Sequence, residues 1–112
     1  MNLQVVEQSD AVTHVALRGC LDVEGVNAIQ DQFYFNLTAR RKPSIVDMAG
    51  VTFIGSLGVG MLVRVAQSLR RNGVRMVLLN PKGTVEETLR ILDLGQVIPM
   101  TANHEEALGL LG

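Results

Sequence analysis

Between residues 44 and 60 the chain reads Ser44-Ile45-Val46-Asp47-Met48-Ala49-Gly50-Val51-Thr52-Phe53-Ile54-Gly55-Ser56-Leu57-Gly58-Val59-Gly60. Ser44 to Met48 predicts a short strand, Ala49 to Gly55 a link, and the pattern from about Leu57 to Arg71 a helix closed by Asn72-Gly73. A strand that turns through glycine and serine into a helix is half of a β-α-β unit. The rest of the chain supplies the other halves.

Upstream, Leu3 to Glu7 and Val12 to Arg18 predict strands joined by the polar turn Gln8-Ser9-Asp10, so these two pair antiparallel. From Val23 the period becomes helical, with Val26, Ile29, Phe33 and Leu37 in step, and Pro43 follows the basic end Arg40-Arg41-Lys42. Downstream, Arg75 to Leu79 predicts an apolar strand stopping at Asn80-Pro81. Thr84-Val85-Glu86-Glu87 has the form of a capping box, with Thr84 as N-cap. It opens a helix that puts Val85, Leu89 and Leu92 on one face and ends at Gly95. Val97 to Met100 predicts a last strand, marked by Pro99 as a sheet edge. Asn103 and Glu106 then cap a helix bearing Ala107, Leu108 and Leu111. The order ββαβαβαβα implies an α/β fold: one domain over residues 1–112, with a mixed, mainly parallel sheet of about five strands and about four helices.

Composition narrows the function. The chain of 112 residues is 47% hydrophobic and 19% charged, with net charge -1. No basic stripe is present, which argues against nucleic acid, because phosphate neutralisation supplies most of that affinity. Arg40-Arg41-Lys42 reads as a solvated helix end. Cys20 is the only cysteine, which suits a reducing compartment. The N-terminus lacks the pattern of a signal peptide, and the charge-free run Val51 to Val63 is well short of the ~20 residues that span a bilayer. The expectation is a cytoplasmic protein without membrane insertion.

Catalytic groupings are sparse. His14 falls in a strand pattern and His104 just inside the last helix, with nothing to bring them together or near Ser56. No carboxylate pair or metal-ligand spacing occurs, so no enzyme activity and no cofactor or metal are expected. Around Gly55-Ser56-Leu57-Gly58-Val59-Gly60 three alternatives stand. A phosphate-cradling loop lacks the G-x-G-x-x-G order and a following lysine. A nucleophile elbow needs glycine where Ile54 stands. An N-cap role for Ser56 needs only its hydroxyl. On the helix beyond, Val59, Leu62, Ala66 and Leu69 form the expected core face. Leu57 and Met61 would then share the opposite face with Arg64 and Ser68, as an apolar pair beside the serine.

Ile45 to Gly60 resembles the signature of STAS domains of the anti-sigma factor antagonist type. That signature runs Val-Asp-Leu-Ser, two residues, an apolar pair, then Asp-Ser-Ser/Thr-Gly and a helix. Arg18-Gly19-Cys20-Leu21-Asp22 is similar to the family's Gly-x-Leu-Asp at the end of its second strand, and the segments Val74 to Asn80 and Val85 to Leu92 also fit. Two positions depart: the family's Asp before the serine is Gly55 here, and its second hydroxyl residue is Leu57.

The resemblance implies regulation by partner switching. Ser56 matches the phosphoacceptor, and the implied partner is an anti-sigma factor that is also a serine kinase of the GHKL ATPase type. Asp22, Thr52, Gly55, Ser56, Leu57, Gly58 and Met61 make up the expected binding surface. Other STAS proteins are further possible partners. The alternative that the family offers is an unphosphorylated scaffold, or an accessory subunit of a stress-signalling complex or membrane transporter.

Overall fold

A computed structural model describes residues 1–111. Five strands lie in the order β1-β2-β3-β4-β5: β1 (Asn2–Gln8), β2 (Thr13–Leu21), β3 (Ser44–Ile54), β4 (Met76–Leu79) and β5 (Met100–Thr101). β1 runs antiparallel to β2, and every later pairing is parallel. The helices are α1 (Val23–Leu37), α2 (Ser56–Arg71), α3 (Gly83–Ile91) and α4 (His104–Leu111), with a 3-10 turn at Leu94–Gln96. The expected mixed α/β order and strand count hold.

Alternation along the central strands divides the core in two. Val46, Met48, Met76 and Leu78 face the larger core with α1, α2 and α3, while Ile45, Val77 and Leu79 face the other side, where Val12 and Ala107 of α4 meet them. Three helices therefore cover one face of the sheet, and α4 alone covers part of the other.

Several local expectations are corrected. β3 does not stop at Met48: it continues through the supposed link to Ile54, paired to β2 across two register shifts. Those irregularities break the alternation that would have revealed the extension. β5 begins three residues later than expected, after Pro99 instead of around it. Thr84 is not a cap, because α3 starts at Gly83 and its N-cap position is Lys82, without a side-chain bond. Leu92 lies beyond α3 and is exposed. Asn103 does cap α4, its Oδ1 accepting from the Glu106 N–H at 3.1 Å. Arg40 is not merely solvated: its guanidinium donates to Thr13 Oγ1 at 2.5 Å and to the Ser9 carbonyl at 2.6 Å, tying the end of α1 to the β1–β2 turn.

Candidate functional site

The site is assembled at the C-terminal ends of β2 and β3, where both strands run directly into helices. Leu21 pairs with Ile54, and the Gly55 N–H donates to the Leu21 carbonyl at 3.0 Å. The two helix N-termini are thereby held side by side. Asp22 caps α1, its Oδ1 accepting from the Gly25 N–H at 2.8 Å. Space is tight beneath: a Cβ on Gly25 would stand 1.8 Å from the Cys20 carbonyl oxygen, and one on Gly58 2.9 Å from the Leu21 oxygen and Cβ. Both glycines let a helix start directly against the strand that precedes α1.

Ser56 is the first residue of α2, and Gly55 occupies the N-cap without any side-chain bond. The N-cap expectation for Ser56 is thus corrected by one position. The hydroxyl is exposed, and the amides of the first turn have no side-chain acceptor. A Cβ on Gly55 would meet nothing closer than Phe53 Cε2 at 3.4 Å, so glycine is not required there by crowding.

Around the serine the surface is apolar. Leu57 is 48% exposed and Phe53 51%, while Val23, directly after the Asp22 cap, is also exposed. Cys20 and Thr52 lie on the same edge, with Sγ and Oγ1 3.6 Å apart. Two expected members do not belong. Met61 is fully buried at 0% exposure, and Gly58 is buried under the helix start. The core stripe of α2 is Gly58, Met61, Leu62, Val65, Ala66 and Leu69, an i, i+3, i+4, i+7 pattern rotated from the expected one. Val59 sits at its edge, half-buried. Of the expected surface, the structure brings together Asp22, Thr52, Gly55, Ser56 and Leu57, and adds Val23 and Phe53.

The histidines need a second correction. His14 and His104 stack with ring centroids 5.4 Å apart, joining β2 to the start of α4. His14 is buried and its Nε2 has no hydrogen-bond partner. Burial lowers its pKa from the ordinary 6.5, and His104 pushes the same way against opposing pulls from Asp47 and Glu7. Yet His14 lies seven residues before Leu21, which pairs with Ile54 beside Ser56, so roughly 20–25 Å of strand separates it from the end that bears Ser56. Neither ring can serve the serine as a base. Among the described residues, no group of three or more His, Cys, Asp or Glu side chains could hold a metal ion, and no helix is long and apolar enough to cross a membrane.

A model of the STAS domain matches residues 3–107. The chain belongs to the STAS domain family. The anti-sigma-F factor antagonist RsfA of Mycobacterium tuberculosis is 26% identical over 105 residues, covering 92% of this chain and 82% of its own. An anti-sigma factor antagonist from Mycobacterium paratuberculosis superimposes with a TM-score of 0.81 at 20% identity, over 98% of this chain and 94% of that one. The phosphorylated form of the Bacillus cell fate determinant SpoIIAA does so with a TM-score of 0.70 at 24% identity, over 97% and 98% of the two chains. This STAS domain thus carries an exposed serine, with exposed Phe53 and Leu57 close to it in the chain, at the helix start that follows its third strand.

Proposed function

We propose that this STAS domain is an anti-sigma factor antagonist that binds an anti-sigma factor, and that phosphorylation of Ser56 by that partner, a serine kinase of the GHKL ATPase type, releases it. The observation that carries the proposal is the placement of Ser56, exposed at the start of α2 between the exposed side chains of Phe53 and Leu57. One surface then offers both the hydroxyl to be modified and the contacts that hold the modifying partner. Similarity to a protein named as an anti-sigma-F factor antagonist supports the same assignment.

The switch follows from charge. Phosphate adds about −1.5 to −2 charges at neutral pH. At the first residue of α2 that charge faces the positive end of the helix dipole and first-turn amides that no side chain caps, so the isolated domain tolerates it. Within a docked interface the same charge sits among Val23, Phe53 and Leu57 and loses most of its water, keeping only the helix-start amides against a double negative charge, which costs several kcal/mol. Gly55 suits this arrangement, since a carboxylate there would compete with the phosphate for the same amides.

Intact mass after incubation with a GHKL-type anti-sigma kinase and ATP tests the proposal. One added phosphate on the wild type and none on Ser56→Ala is expected. Tight binding with no phosphate transferred would instead favour the unphosphorylated scaffold alternative.

A further inference from the structure

A cavity lies far from Ser56, at the other end of α2. It has a volume of about 530 Å³ and opens between the last turns of α2, the turn into β4, and the segment from the 3-10 turn to β5. That volume falls in the usual range for small-molecule sites, roughly 300–1,000 Å³. Ser56 and Arg70 are 14 residues apart on one helix, which places the cavity roughly 20 Å from the partner surface.

Its walls are of two kinds. Its apolar side chains are those of Val74, Val97 and Pro99, each half-buried, with Ala66 and Met76 buried, while Gln96 and the backbone of Gly73 and Gly95 add polar surface. The rim carries Arg70 and Arg75, both exposed, and no carboxylate lines the cavity. Among the described residues the single ion pair is Arg90 with Glu86, so neither rim guanidinium has an acidic partner. Arg70 donates one N–H to the Val97 carbonyl at 3.3 Å, which links the two walls and leaves its other donors free. Arg75 makes no side-chain hydrogen bond within the described residues. Guanidinium groups bind carboxylate and phosphate oxygens through paired donors, and half-buried apolar side chains take up an apolar body.

We infer that this cavity is a binding site for a small amphipathic anion, whose carboxylate or phosphate head lies between Arg70 and Arg75 and whose apolar body rests on Val74, Val97 and Pro99. A bare inorganic anion would leave Val74, Val97 and Pro99 uncovered, and a neutral apolar molecule would leave both guanidinium groups unpaired. The site is independent of the kinase-facing surface, so it stands or fails separately from the proposed function.

Titration of the isotopically labelled protein by amide NMR tests it, with decanoate, decyl phosphate, decanol and inorganic phosphate as probes. Decanoate or decyl phosphate should shift the amides of Gly73, Val74, Gly95 and Val97 saturably, and the stronger of the two identifies the head group. Decanol should bind at least tenfold more weakly, and inorganic phosphate should not saturate. Arg75→Gln, which breaks no contact of the fold, should weaken the binding about tenfold, and Arg70→Gln/Arg75→Gln should abolish it. Absence of saturable shifts at those amides, equal binding of decanol, or unchanged affinity in the double variant would each overturn the assignment.

Discussion

Two alanine substitutions on α2, only two residues apart, should change stability in opposite directions. At Gly58 an added Cβ stands 2.9 Å from Leu21 Cβ, 2.9 Å from the Leu21 carbonyl oxygen and 3.0 Å from Ile54 Cγ1. None of these can retreat freely. Leu21 is fully buried, Ile54 nearly so, and the Leu21 carbonyl is held by the Gly55 N–H. Overpacking of this kind costs about 1–3 kcal/mol, against which alanine recovers about 0.5–1 kcal/mol over glycine within a helix. Gly58→Ala should therefore lose about 0.5–2 kcal/mol. At Gly60 the nearest atom to a new Cβ is Arg64 Nη1 at 3.6 Å, an ordinary contact with the end of a flexible side chain. Gly60→Ala should keep the propensity gain and stabilise by about 0.5–1 kcal/mol. Thermal melts separate the two, since about 1 kcal/mol moves the midpoint of a domain this size by roughly 3–6 °C. If Gly58→Ala melts at or above the wild type, or below it by no more than Gly60→Ala does, the close seating of α2 on β2 is wrong.

Two further outcomes follow from the corrected burial and from the histidine pair. Phe53→Ala with Leu57→Ala should leave the melting point within about 1 kcal/mol of wild type but weaken partner binding by about 2–4 kcal/mol, whereas Met61→Ala should cost about 2–5 kcal/mol of stability. Denaturant titrations on both variants check the contrast, and similar stabilities would contradict it. The His14 imidazole, lowered by burial and by His104, binds its proton less readily folded than unfolded. The unfolded state then holds more protons just below pH 6.5, so stability should fall as pH drops from about 7 towards 5.5 and stay level above pH 7.5. Every tenfold loss of proton affinity is worth about 1.4 kcal/mol. Melts across that window should show the slope in wild type and lose most of it in His14→Phe; equal slopes would rule His14 out.

Much of this architecture was legible because helices and strands leave different periods in the sequence. Val26, Ile29, Phe33 and Leu37 announced α1, and all four are buried. Legibility failed where a local pattern was overridden. The second half of β3 is carried by pairing with β2 across register shifts, and Thr52 and Phe53 both face outward there. An exposed Phe53 looks like core in a one-dimensional reading, although the apolar residues at 51, 53 and 54 exceed what one strand face can bury. A helical pattern built on Val59, Leu62, Ala66 and Leu69 turns Met61 outward, because it omits Gly58 and Val65, the companions of Met61 on the core stripe. The strand-to-helix junction locates Ser56, and misses by one position only the residue that takes the cap. The approach of His104 to His14 had no sequence signal at all. It depends on α4 crossing the opposite face of the sheet, a tertiary event between residues 90 positions apart.

The most direct test of the switch is a calorimetric titration of the anti-sigma partner with wild type, Ser56→Ala and Ser56→Asp, each paired with a melt. At the first position of α2, Ser56→Asp places a negative charge on the favourable end of the helix dipole, worth about 0.3–1 kcal/mol, so the domain should melt no lower than wild type. Its binding should nevertheless weaken at least tenfold, about 1.4 kcal/mol, while Ser56→Ala binds nearly as wild type does. If Ser56→Asp remains folded and binds the partner as tightly as wild type, charge at Ser56 does not control this surface.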